Sequence, residues 1–159
     1  MKISTFQVKR EIMRIKKYLF LFLLFLPALA FSQTAAEMDT MLVSDTISVA
    51  RAARFTLGAA ELLPAGLSGA EAEKAAYDIA SSKGWINAAA GEAITLKDTA
   101  FLIMKAFDLK GGIMYSLFKN PRYAYREMVY QKIIQGDQAM KVSGEKMLVI
   151  LDRVMKVGE

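Results

Sequence analysis

Tyr123, Arg126 and Tyr130 stand three and then four residues apart, the interval that puts side chains on one face of a helix. Aromatic rings beside a guanidinium group suit sugar rings and anionic groups, through stacking and paired hydrogen bonds. The competing reading is a solvated helix face with tyrosines at its edge. Ser48, Thr95 and Ser143 form a second set, each a hydroxyl at the start of an amphipathic stretch. There the oxygen can accept from an otherwise unpaired N–H of the first turn. Asp98, three residues after Thr95, brings that copy close to a capping box. These seven residues are the candidate ligand contacts.

Other chemistry is excluded by what the chain lacks. It has no histidine and no cysteine. That removes an imidazole base, the usual zinc sites, a thiol nucleophile, a disulfide framework and a lipid anchor on an N-terminal cysteine. Glu92 and Asp98 are close in sequence, but an acid–base pair must lie across a substrate, and nothing in the spacing places them so. "LKGGI" follows a helix instead of opening one, the wrong order for a phosphate loop. No enzyme, metal or cofactor is expected.

The elements that must hold the candidate residues read as helices. "SVARAARFTLGAAELL" keeps helical period up to Pro64 and Gly66. "SGAEAEKAAYDIASSKG" is a second helix, with Ser68 as cap, Glu71 and Glu73 in the first turn and Gly84 as left-handed stop. "TLKDTAFLIMKAFDLKGG" is a third, stopped by Gly111 and Gly112, and "IMYSLFKN" a short piece. "PRYAYREMVYQKII" begins with Pro121 in its first turn, and "SGEKMLVILDRVMKV" is the last helix. No period-two strand of any length is visible.

Three stretches align without a gap: 47–62, 94–109 and 142–157. Their first column is Ile47, Ile94 and Val142, and their second Ser48, Thr95 and Ser143. Leu62, Leu109 and Val157 make a later apolar column, while Gly58, Lys105 and Arg153 fall on the expected outer face. "AYDIASSKGWI" (76–86) lies over "AYREMVYQKII" (124–134) at an offset of 48, the offset that also relates Ile94 to Val142. On this alignment Tyr77 matches Tyr125 and Trp85 matches Ile133, which makes Tyr125 and Trp85 expected core positions. Met104, Met128, Met147 and Met155 are expected to fill helix contacts.

A "GWI"-like turn, a loop, and then Ile-Thr capping an amphipathic helix, about fifty residues per unit, resembles the S-layer homology domain. The likeness covers residues 38–157, with the first linker helix cut to a remnant at Met38–Ser44. It implies an all-α fold, a compact bundle of three helical repeats in pseudo-threefold arrangement. It also implies binding to cell-wall polysaccharide or peptidoglycan. The family's Ile-Thr-Arg-Ala-Glu run is altered here. Its Thr falls on Ser48, Thr95 and Ser143, its Arg on Val49, Leu96 and Gly144, and its Glu on Arg51, Asp98 and Lys146. Val49, Leu96 and Gly144 cannot hold an anionic polymer as the family Arg does.

Residues 1–32 read as a signal peptide: Arg14, Lys16 and Lys17, an apolar run from Tyr18 to about Leu26, then Pro27 and small residues. Ala30 and Ser32 sit before a cut ahead of Gln33, and Met13 is a candidate start. The apolar run is shorter than the roughly 20 residues a spanning helix needs, so no stable membrane span is expected after cleavage. Residues 33–46 are a lead-in and 47–159 the helical repeat domain. Residues 1–32 hold six of the 21 basic residues and one of the 16 acids, leaving fifteen of each, so no nucleic-acid footprint is expected. Two functions stay open. One is an exported module of the periplasm or outer envelope that binds cell-wall glycan or peptidoglycan. The other is an envelope protein–protein adaptor whose repeats have lost the glycan.

Overall fold

The computed structural model describes residues 37–157, and the expected signal peptide lies outside them. The chain divides into two units, residues 1–40 and 41–159. Of the first only residues 37–40 are described, and they are helical. The second holds α1 (Val49–Ala59), α2 (Gly69–Ser82), α3 (Leu96–Ala106), α4 (Ile113–Phe118), α5 (Pro121–Tyr130) and α6 (Gly144–Val157). The fold is all-α, and among the described residues no strand forms, only two isolated β-bridges, Ser48 with Ala93 and Thr95 with Lys141.

Helix starts follow the hydroxyl residues. Ser48, Thr95 and Ser143 each accept at Oγ from the backbone N–H three residues on, Arg51, Asp98 and Lys146, all at 3.2 Å. Asn120 caps α5 in the same way through Tyr123 N–H, with Pro121 at its first position. Ser68 occupies the cap of α2 but its side chain makes no cap bond.

Three helix ends differ from the sequence reading, one of them that of α5, which stops at Tyr130 and not at Ile134. α1 stops at Ala59 and α3 at Ala106, well before Gly111 and Gly112. The stop is made by Glu61 and Asp108, which adopt left-handed φ of 56° and 48°. The next residue then bonds back across the last turn, Leu62 N–H to Leu57 O at 2.8 Å and Leu109 N–H to Met104 O at 3.0 Å. Gly84 (φ 67°) ends α2 as expected, and Lys132 (φ 60°) ends α5 in the same manner. Trp85 and Ile133 return their N–H groups to Ala80 O and Met128 O, both at 2.9 Å.

At the centre a ring of backbone bonds joins three chain segments. Ile47 N–H donates to Val142 O (2.9 Å), Val142 N–H to Ile94 O (3.1 Å), and Ile94 N–H to Ile47 O (3.1 Å). Each first helical residue then takes a partner from another loop: Val49 N–H to Glu92 O, Leu96 N–H to Met140 O, Gly144 N–H to Ser44 O. These bonds satisfy donors that every helix start leaves unpaired.

α1 packs on α2 and α3 on α5, while α1 also meets α3 and α6. Leu57, Leu102, Ile103, Met104, Met128 and Met147 fill the space between them and are at most 2% exposed. Met155, by contrast, is exposed. Helices of ten to fourteen residues are marginal alone, so burial of their apolar stripes is what holds them.

Candidate functional site

Trp85 follows the left-handed Gly84 at the end of α2. Its ring packs on the core on one side and lines a surface groove on the other. Core position is therefore half of its role. The groove, about 320 Å³, is also lined by Asn87, Glu92, Ile94, Asp98 and Pro121. Lys83 Nζ stands 4.9 Å from the centre of the indole ring. Asp98 is held by its own cap: Thr95 Oγ1 donates to Asp98 Oδ2 at 2.5 Å while accepting from Asp98 N–H. A flat ring beside a fixed carboxylate and a primary amide can stack on a sugar and accept from its hydroxyls.

A second groove of about 300 Å³ has Ile133, Gln135, Ser143, Glu145, Lys146 and Arg153 among its walls. Three of its walls stand 48 residues beyond walls of the first: Ile133 for Trp85, Gln135 for Asn87, Lys146 for Asp98. The charge is reversed, a lysine in place of the aspartate. Arg153, expected on an outer face, reaches across to donate from Nη1 to Ile133 O at 3.1 Å at the end of α5. Lys146 Nζ likewise reaches Gln135 O at 3.4 Å. This groove sets two cations beside the Glu145 carboxylate, where the charged walls of the first, Glu92 and Asp98, are both acids.

The tyrosine–arginine face is split. Tyr123 and Arg126 share a third groove, about 270 Å³, with Gly112, Ile113, Tyr115 and Glu127. Tyr123 stacks on Phe118 with ring centres 5.2 Å apart. Tyr130 is 84% exposed and lines none of these grooves. Tyr125, expected in the core, packs partly against it, and its hydroxyl donates to Gly136 O; Tyr77 makes the matching bond to Ala88 O at 3.2 Å.

Of the seven candidate residues, Asp98 lines the first groove, Ser143 the second, and Tyr123 with Arg126 the third. The hydroxyls of Ser48, Thr95 and Ser143 are already engaged as caps. Sequence reasoning passed over Asn87, Gln135 and Lys146 as groove walls. The 48-residue offset pairs Asn87 with Gln135 and Asp98 with Lys146, and was the available signal. Among the described residues no group of three carboxylates gathers to hold a metal, and no helix is long and apolar enough to cross a membrane. Comparison with family models, curated proteins and solved structures finds no match to the chain.

Proposed function

We propose that the chain is an exported, non-catalytic binding module of the cell envelope. In this reading it consists of three degenerate units in pseudo-threefold arrangement, similar to S-layer homology domains, and binds cell-wall glycan or peptidoglycan. The observation that carries the reading is the groove pair. An aromatic ring, an amide and a fixed carboxylate meet in one groove, and the same positions line a second groove 48 residues on. The ring of bonds through Ile47, Ile94 and Val142 supports the threefold arrangement, since it joins the first column of the aligned stretches head to tail.

The positions of the family Arg do not contribute. Val49, Leu96 and Gly144 are buried first residues of their helices, sealed by loops that accept their N–H groups. Recognition then falls to Trp85, Asn87 and Asp98 for neutral sugar hydroxyls, and to Lys146 and Arg153 for acidic groups.

Trp85 is the sole tryptophan, so it reports on its own groove. The test is co-sedimentation with purified cell-wall sacculi, before and after removal of wall-linked polymer, together with Trp85 emission during titration with soluble wall fragments. Binding that shifts the emission and is lost in Asp98→Asn is the expected result. Binding lost on polymer removal identifies the polymer as ligand, and binding retained identifies peptidoglycan. No sedimentation and no change in emission would leave the protein–protein adaptor as the reading.

A further inference from the structure

α4 is six residues long and shows water a stripe of large apolar side chains. Ile113 is 80% exposed, Leu117 70%, Phe118 56% and Met114 49%. The four positions are i, i+1, i+4 and i+5, adjacent rows on one face. Nothing among the described residues covers them.

A helix this short does not persist alone, and the fold holds it from beneath. Tyr115 is only 6% exposed and belongs to the core cluster. Glu127 of α5 accepts from Gly112 N–H at 2.9 Å, just ahead of the first turn. Lys119 (φ 40°) closes the last turn, its N–H donating to Tyr115 O at 2.8 Å. Phe118 rests on Tyr123. The apolar stripe is thus presented on a fixed support.

Its surround is cationic. Residues 108–127 contain Lys110, Lys119, Arg122 and Arg126 against two acids, Asp108 and Glu127, the latter held by Gly112 N–H. All four bases are exposed. None of their side chains has a hydrogen-bond or ion-pair partner among the described residues, whereas Lys74 and Lys156 pair with Asp78 and Asp152. Beyond residue 32 the chain is balanced in charge, so this is a local excess.

We propose that α4 is a membrane-contact helix, seating the protein on an anionic lipid surface with Ile113, Met114, Leu117 and Phe118 entering the headgroup layer and the four bases meeting lipid phosphates. Apolar residues beside basic ones are what an interfacial helix requires. A second copy fits worse: a two-fold contact through this face would set the same unpaired cations against one another. The proposal is independent of the glycan reading.

The natural absence of cysteine permits a local probe. In the full chain, Leu117→Cys carries an environment-sensitive dye, with Glu71→Cys, exposed on α2, as reference. Vesicles are phosphatidylglycerol or phosphatidylcholine. The expected result is a blue-shifted, brighter signal at position 117 on phosphatidylglycerol alone, weakened by salt and abolished by adding Ile113→Asp. Lys119→Gln should weaken partitioning about five-fold. An unchanged signal at position 117 overturns the proposal, as does an equal response at position 71, which would report capture through residues 18–26. A concentration-dependent change without vesicles would overturn it in favour of self-association.

Discussion

The backbone carbonyl of Met41 lies directly against the α-carbon of Gly144, so a methyl group built on Gly144 would overlap that oxygen. Gly144 aligns with Val49 and Leu96, which carry side chains at the same helix position. What differs is the segment that covers the helix start. Here it comes from Met41–Ser44, and Ser44 O takes Gly144 N–H at 2.9 Å. Gly144→Ala should therefore force backbone apart and cost about 1–3 kcal/mol. Gly58 is the control: its added methyl would meet only Leu63 Cδ1 at 3.9 Å, in the last turn of α1. Gly58→Ala should stabilise by about 0.5–1 kcal/mol. Denaturant melts of the two variants should move in opposite directions.

Thr56 and Thr99 are both fully buried, yet their hydroxyls fare differently. Thr56 Oγ1 donates to Ala52 O at 2.8 Å, while Thr99 Oγ1 has no partner. A buried polar group without a partner carries its desolvation cost uncompensated. Thr99→Val keeps the shape and removes that cost, so it should stabilise by about 1 kcal/mol. Thr56→Val removes a bond and leaves Ala52 O to its helical partner, so a loss of about 1 kcal/mol is expected. Equal shifts in the midpoint of chemical unfolding would contradict the distinction.

Much of this architecture was legible because local signals repeat. Caps at Ser48, Thr95 and Ser143 and the turn at Gly84 follow from residue type and period. The ring through Ile47, Ile94 and Val142 was not, because it is made of backbone groups that leave no trace in side-chain identity. The end of α3 was misplaced for a related reason: Asp108 adopts the left-handed turn that Gly111 advertised. For the site, helical period tells which side of α6 Arg153 occupies but not that the end of α5 lies within its reach. Trp85 was assigned to the core by its alignment with Ile133; its larger ring reaches both core and groove.

The caps offer a graded test of local chemistry. Thr95→Ala removes both the bond to Asp98 N–H and the one to its carboxylate. Ser48→Ala and Ser143→Ala remove one bond each. Each should cost about 1 kcal/mol, with Thr95→Ala the largest. Ser68→Ala, at a cap without a side-chain bond, should fall within about 0.5 kcal/mol of the parent. Thermal melts suffice, and a Ser68 effect as large as that of Thr95 would refute the assignment.

Tyr115 ties α4 to the core and gives that attachment a pH dependence. Burial, with the Asp108 carboxylate as a lesser cause, holds its phenol above its ordinary value of 10.0. In the folded chain the neutral phenol is favoured, and in the unfolded chain the proton leaves near the ordinary value. Between the two values the unfolded state binds fewer protons, so stability falls as pH rises. This contribution is fully present below the ordinary value and is lost as pH passes through the folded one. Tyr115→Phe keeps the ring and cannot ionise. Melting temperature followed from neutral pH into the alkaline range should therefore fall more steeply in the parent than in Tyr115→Phe. Parallel curves would mean that the phenolate is accommodated without displacing α4.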